Sequence, residues 1–386
     1  MWKRHFDRAF EFSAWASEQL RGVAIDACIV HDAYALAAGH RIRSEREAFL
    51  IYDGVEYPDY TGRSGHGFDA YREMPEGAFL CLAHDLAVIA ECDSVFVGSP
   101  GVARWYEMQG GMAPVLVRNC LDYQDIPVDR TMRSDCGIGN DVSLIVYPNT
   151  VHRRSGFETL LEALRLLPDD VHLAVSGRLE TGYGDQVAAL VDQLGLRTRV
   201  HFLPLVSPER LVAYRSSADV AVIVLDPNNP NHYNSCPNRV FESVASRIPL
   251  VVPELPYIRE LVDRFGCGSV FDRLEASSVA EAIRVVLGNS ACFRERAETA
   301  ARELSWDRER NHFVAALGTI NAVGEARTIA YLADKSIVNH QRSFRHTRTL
   351  VEMGHRVIVL AREGPPAPAL RVPGVTYHAL DMVGTC

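Results

Sequence analysis

The chain has 386 residues, 47% hydrophobic and 23% charged, which is enough for two domains of ordinary size and typical of a folded globular protein. A formal net charge of -9 argues against a nucleic-acid partner and against strong general attraction to anionic lipid, while leaving peripheral membrane association through a local basic patch open. Nine cysteines are scattered without a C-x-x-C pair, Met1 to Arg8 lacks the apolar core of a signal peptide, and no stretch has the length of a membrane span, so reduced thiols, a cytoplasmic location and no metal centre are expected.

Apolar residues at helical spacing run from Phe10 to about Leu20, and Asp26 to Asp32 reads as a buried strand ending in His31-Asp32. A second strand, Phe49 to Tyr52, ends at Asp53, with Glu56 close behind. Carboxyl ends of strands border the ligand crevice of an open α/β sheet, so His31, Asp32, Asp53 and Glu56 stand where chemistry can occur. The structural alternative is that His31 and Asp32 cap the following helix and pair with each other. Tyr57 to about Glu76 reads as a glycine-rich loop facing the crevice, Gly77 to Glu91 as a helix, and Ser94–Val97 and Val115–Val117 as strands. Residues 124–141, rich in proline, glycine and charge, read as an interdomain linker.

From Val142 the chain alternates strand and helix with great regularity. Strands are expected at Val142–Tyr147, Val171–Val175, Val200–Leu203 and Val220–Leu225, separated by helices at Phe157–Leu166, Asp185–Leu194 and Pro208–Arg215. This rhythm implies a parallel sheet with helices on both faces. Three strand-end loops carry candidate binding groups. Arg153 and Arg154 follow the first strand and can hold a diphosphate or can be solvated surface residues, and Gly177 before Arg178 allows close backbone approach to a ligand.

The third unit is Pro237-Asn238-Arg239-Val240-Phe241-Glu242-Ser243-Val244-Ala245-Ser246-Arg247-Ile248-Pro249-Leu250-Val251-Val252, a loop, a helix with Val240, Val244 and Ile248 on one face, and a buried strand. Unpaired N–H groups at such a helix start suit a diphosphate, Arg239 offers a fork of donors, and the Glu242 carboxylate can accept both hydroxyls of a ribose diol. An ordinary amphipathic helix with a dipole-compensating glutamate accounts for the same residues.

This stretch resembles the carboxyl-terminal domain of retaining GT-B glycosyltransferases of the family 4 type, whose segment commonly reads Pro-Asn-Lys-x-Phe-Glu-x-x-x-x-Gly-x-Pro-Val-Val. Arg239 stands for the lysine, Arg247 for the glycine, and Asn234 for a glutamate eight positions before Glu242. In the first half, His31-Asp32 and Tyr52-Asp53-x-x-Glu56 resemble the family's strand ends, with Val55 where a histidine is common, and Ser305-Trp306 matches a dipeptide near the family's carboxyl end. The resemblance implies two Rossmann-like, doubly wound parallel-sheet domains facing across a cleft. It implies a nucleotide-sugar donor held by Arg153, Arg154, Gly177, Arg178, Asn234, Asn238, Arg239 and Glu242, catalytic roles for His31, Asp32 and Asp53, no cofactor, and a glycan, lipid-linked or small-molecule acceptor. A nucleotide-binding scaffold subunit without turnover, or a nucleotide-sugar epimerase, stays open beside it.

After a second linker at residues 319–326 the tail starts a new α/β unit: strand Arg327–Asp334, polar loop Ser336–Arg342, helix Phe344–Met353, and strands Val357–Ala361 and Val375–Leu380. It resembles the opening of the family's first domain. Residues 1–123 and 327–386 are therefore expected to build one domain as if circularly permuted, with Asn339, His340 and Arg342 at the cleft, and residues 142–318 the other. A tandem fragment and a swapped dimer are the rival readings of that order.

Overall fold

The structure is a computed structural model that describes residues 2–55, 76–109, 113–126, 129–153, 155–227, 229–320, 326–334, 340–362, 367–368 and 371–380. The glycine-rich loop expected over residues 57–75, and the site candidates Glu56, Arg154 and Asn339, lie outside the described residues. The chain forms two compact units, one of Met1–Asn119 with Glu309–Cys386 and one of Cys120–Arg308. The second takes in residues 124–141, whose helix Thr131–Asp135 buries Met132 in its core.

Each unit is an α/β layer structure on a fully parallel sheet. The first sheet has the strands β1 (Ala27–His31), β2 (Phe49–Gly54), β3 (Ser94–Val97), β4 (Val115–Leu116), β11 (Thr328–Ala333), β12 (Arg356–Arg362) and β13 (Thr376–Leu380), in the order β13-β12-β11-β1-β2-β3-β4. The tail thus supplies three strands, and β11 lies directly against β1 with Ala27 opposite Ile329 and His31 opposite Ala333. Counted from β11, the order is 3-2-1-4-5-6-7, the doubly wound arrangement in which the strand sequence reverses between β11 and β1. The second sheet has β5 (Ser143–Tyr147), β6 (Val171–Val175), β7 (Val200–Phe202), β8 (Val220–Val222), β9 (Leu250–Pro253) and β10 (Gly268–Phe271), in the order β10-β9-β8-β5-β6-β7. Its reversal falls between β5 and β8. The central strands are near-continuous apolar runs because helices cover both faces, and Leu144, Ile145 and Val146 are all fully buried.

One device recurs at the strand starts three times. Asp93 accepts the Leu50 N–H at 2.8 Å and donates its own N–H to the Leu50 carbonyl at 2.8 Å. Asp219 does the same to Leu144, at 2.7 and 2.8 Å. Asp26 does so to Thr328, at 2.7 and 2.9 Å. Each of these aspartates immediately precedes a strand and is paired with an arginine: Arg43, Arg133 and Arg327, respectively. The clasp between Asp26 and Thr328 joins residues 302 positions apart in the chain.

The structure corrects one element of the tail. The helix runs Gln341–Glu352 and includes Arg342, which the sequence reading assigned to a polar loop. The His340 side chain caps it by accepting the Ser343 N–H at 3.2 Å, so the helix begins three residues earlier and carries Arg342, Arg345 and His346 on its buried face.

Candidate active site

In the second unit the candidate residues gather at the carboxyl ends of β5, β6 and β8, around the point where the strand order reverses. The loops after β5 and β6 touch: a Cβ at Gly177 would overlap the Asn149 carbonyl oxygen, so glycine there is required by a neighbouring loop. The helix Asn238–Ala245 starts behind the Pro237 cap, buries Val240 and Val244, and leaves Asn238 exposed and Arg239 and Glu242 half-buried.

Its central feature is an arginine that the sequence did not single out. Arg215, 4% exposed, donates through Nη1 to Glu242 Oε2 at 2.8 Å, through Nε to Ser176 Oγ at 3.2 Å and through Nη2 to the Ser176 carbonyl at 3.0 Å. The loop after β6 and the helix bearing Glu242 are therefore tied through one guanidinium. Burying that cation without a carboxylate would be costly, and Glu242 is the carboxylate it meets.

Arg239 lies close enough to Tyr147 and His232 to act on both electrostatically. Burial pushes the Tyr147 hydroxyl up, with Arg239 opposing, and burial pushes the His232 imidazole down, with Arg239 adding to the shift. Asn234 sits at the end of the short helix Pro230–Asn234, which Asn229 caps by accepting the Asn231 N–H at 2.9 Å. Arg153 and Arg178 are exposed. Arg153 stacks over Tyr183 and lies 3.9 Å from the Glu180 carboxylate. A separate arginine-rich depression holds Arg133 and Arg294, but these answer the carbonyls of Ser217 and Ala218, next to the start of β8 and away from the strand ends where ligands dock.

In the first unit the equivalent position, the ends of β1, β2 and β11, holds a buried polar cluster. His31 and Asp53 are register partners, and His31 Nδ1 lies 2.8 Å from Asp53 Oδ2. Arg342 holds Asp53 in a fork, Nε at 3.0 Å from Oδ2 and Nη2 at 2.5 Å from Oδ1, and gives a third bond to the Val117 carbonyl at 2.7 Å. Burial alone would push the Asp53 carboxyl up, but the Arg342 charge and the His31 hydrogen bond hold it well below the usual carboxylate range. Burial and the same guanidinium push His346, stacked on Phe313, well below the ordinary imidazole value.

The reactive-looking end of this cluster is Asp32. It has φ 64° and ψ 162°, a backbone conformation close to one reserved for glycine, and its carboxylate lies 3.8 Å from His31 Nε2. His31 Nε2 is buried with no hydrogen-bond partner among the described residues. Asp53 and Arg342 neutralise each other inside the unit, and Asp32, partly exposed, is what the cluster offers to solvent. His340 packs edge-on to His31 at 4.6 Å.

Residues 128–304 match the family profile "Glycosyl transferases group 1". The matched stretch, a little under half of the chain, lies wholly within the second unit. Two relatives, both named D-inositol 3-phosphate glycosyltransferase, are 28% identical: the Geodermatophilus obscurus protein over 246 residues, 59% of this chain and 53% of its own, and the Xylanimonas cellulosilytica protein over 193 residues, 47% and 44%. The chain thus spans about half the length of the curated relatives it matches. Among solved structures, sucrose-phosphate synthase from Thermosynechococcus elongatus superposes with a TM-score of 0.64 at 18% identity, over 81% of this chain and 77% of that one. Anabaena HepE in complex with UDP and glucose gives 0.61 at 17%, over 79% and 81%. These likenesses establish the fold class, GT-B, with its first sheet drawn from both ends of the chain.

Proposed function

We propose that the protein moves a sugar from a nucleotide-diphosphate sugar to an acceptor hydroxyl, with retention of the anomeric configuration and with arginines in place of a metal ion on the leaving diphosphate. The observation that carries this reading is Glu242: a half-buried carboxylate, held by Arg215 in the second turn of a helix that opens at the sheet's reversal point, in the domain that matches group 1 transferases. Arg239, three residues nearer the helix start, supplies cationic donors for charge that grows on the diphosphate as the glycosidic bond breaks. The UDP and glucose of the HepE complex make a uridine diphosphate sugar the first donor to test, and the relatives' names put an inositol phosphate among the acceptors to test beside glycans, lipid-linked sugars and other small molecules. The order of the chain is, on this reading, a circular permutation of the GT-B plan, since the first sheet becomes continuous in sequence only when counted from β11.

Calorimetry tests the donor site. Glu242→Ala removes two charge-assisted hydroxyl contacts and is expected to weaken nucleoside diphosphate binding by roughly 2–3 kcal/mol. Unchanged affinity in a folded variant would remove the assignment. A nucleotide-binding subunit without turnover is favoured instead by Val55 and Asn234, which stand where the family resemblance places a histidine and a glutamate. Release of nucleoside diphosphate from a panel of nucleotide sugars separates the two.

A further inference from the structure

We infer that Arg215 is a positioning residue that sets the preference of the donor site for a ribose. The inference rests on the nucleotide-donor reading of the Asn238–Ala245 helix and assigns a role to a residue outside it. Arg215 is buried, and its contacts converge from three places: the Ser176 hydroxyl and carbonyl after β6, the Pro148 carbonyl after β5 at 3.5 Å, and the Glu242 carboxylate. A planar guanidinium fixed at two points by Ser176 has its third direction fixed as well, and that direction is Glu242 Oε2.

The consequence lies at the other carboxylate oxygen. A glutamate has three rotatable bonds, and a half-buried one held at no point would sample several rotamers, each with a different hydrogen-bonding direction. Anchoring Oε2 at 2.8 Å narrows the rotamers open to Glu242 and leaves Oε1 outside that bond, with lone pairs for an incoming diol. Glu242 is 23% exposed at its side chain while Arg215 is 5%, so the pair has one dry end and one wet end. Such a carboxylate is pre-organised for hydroxyl donors, and the ordering cost is met on folding and not on binding. A purely structural ion pair would hold the two loops together without distinguishing one ligand from another.

The test separates the ribose from the diphosphate. Binding of UDP, of 2′,3′-dideoxy-UDP and of inorganic pyrophosphate is measured by calorimetry for the whole chain, wild type and the variants Arg215→Lys and Arg215→Met. Wild type is expected to prefer the ribose form by about 30-fold or more, the worth of charge-assisted hydroxyl bonds. Both variants are expected to bring that preference below about threefold while pyrophosphate affinity stays within about twofold. A retained ribose preference, or an equal fall for UDP and pyrophosphate, would overturn the role. Should both variants fail to fold, Ser176→Ala loosens Arg215 without removing its charge; a lowered ribose preference there supports the inference and an unchanged one refutes it. Wild type binding UDP and dideoxy-UDP equally sinks the positioning role together with the contact between Glu242 and the ribose, leaving a nucleotide site held by other groups, whereas binding of no nucleoside diphosphate sinks the donor reading as a whole.

Discussion

Asp53 and Asp85 are both buried carboxylates in the first unit, and their surroundings drive them in opposite directions. Asp53 meets the Arg342 guanidinium and stays ionised at any ordinary pH. Asp85, 3% exposed on the helix Glu76–Ala90, lies 3.0 Å from the neighbouring His84 imidazole, and burial pushes its carboxyl up to about 8. The signs for stability then differ. A carboxyl whose folded value lies above its unfolded value holds its proton more tightly when folded, so its contribution is complete below about pH 4 and is lost as pH rises toward 8. The slope over that window is roughly 1.4 kcal/mol per pH unit. Asp53 contributes in the other sense, present above the unfolded carboxylate value and lost only in acid, so it is flat across the same window. Relative to Asp85→Asn, wild type is expected to lose melting temperature between pH 6 and pH 8, because the buried histidines whose values burial pushes down are common to both proteins and cancel in the difference; Asp85→Asn is expected to be the more stable protein at pH 8. Differential scanning calorimetry of both proteins at the two pH values reads this directly; a difference in melting temperature that is the same at pH 6 and pH 8 would show that Asp85 stays ionised in the fold.

Strands, helices and clasps show how far pattern alone reaches. Alternation of apolar runs and helical spacing made the strand ends legible, and with them His31, Asp53, Gly177 and the Glu242 helix, because a fully covered parallel strand has an unmistakable composition. What stayed hidden depends on side-chain direction. Arg215 reads as a helix-terminal arginine with no special spacing, and its target lies 27 residues on. Arg342 followed a polar run, and only the His340 cap carried it into a helix and onto Asp53. Arg247 takes the φ 59° left-handed conformation at the end of the Asn238–Ala245 helix, where the family resemblance places glycine. Its stack on Tyr123 and its ion pair with Glu298 at 2.7 Å offset the strain. The aspartate clasps did leave a trace, an Asp directly before each clasped strand, but the partner strand is visible only in the sheet. Each clasp gives two hydrogen bonds and an ion pair, partly solvated, so Asp26→Ala and Asp219→Ala are each expected to cost about 1–2 kcal/mol. Urea denaturation checks the magnitude. Loss of less than about 0.3 kcal/mol in both would mean that strand packing, and not the clasp, sets register.

At the scale of the whole molecule the question is what holds residues 327–386 to residues 1–119. The join is both apolar and polar. Ile329 and Leu332 are fully buried, and β11 lies between β1 and β12. Across it run Asp26 to Thr328, Arg342 to Asp53 and Val117, Arg345 to Asn119, and Arg8 to Asp334, a carboxylate that Arg362 of the tail also holds. Removing the tail would leave β1 as an exposed apolar edge and the buried Asp53 carboxylate without Arg342. Such a sheet has no reason to stay closed. Deletion of everything after Gly324 is therefore expected to abolish the cooperative unfolding of the first unit while the second, whose sheet is built wholly from residues 143–271, keeps its own transition. The rival readings of the chain order give different results in the same experiment. A truncated tandem copy would leave the melting profile and nucleotide-dependent activity unchanged on deletion. A swapped dimer would lose the first unit as the permuted monomer does, but adding residues 326–386 as a separate peptide would restore it in the deleted chain, and intact protein would sediment at twice the monomer mass. The permuted monomer instead sediments as one chain, and moving residues 326–386 ahead of Met1 through a short glycine-serine linker should preserve the fold, because the sheet order 3-2-1-4-5-6-7 is then also the order in which strands are made. Failure of the rearranged chain to fold, with the deleted chain still melting normally, would overturn the permutation.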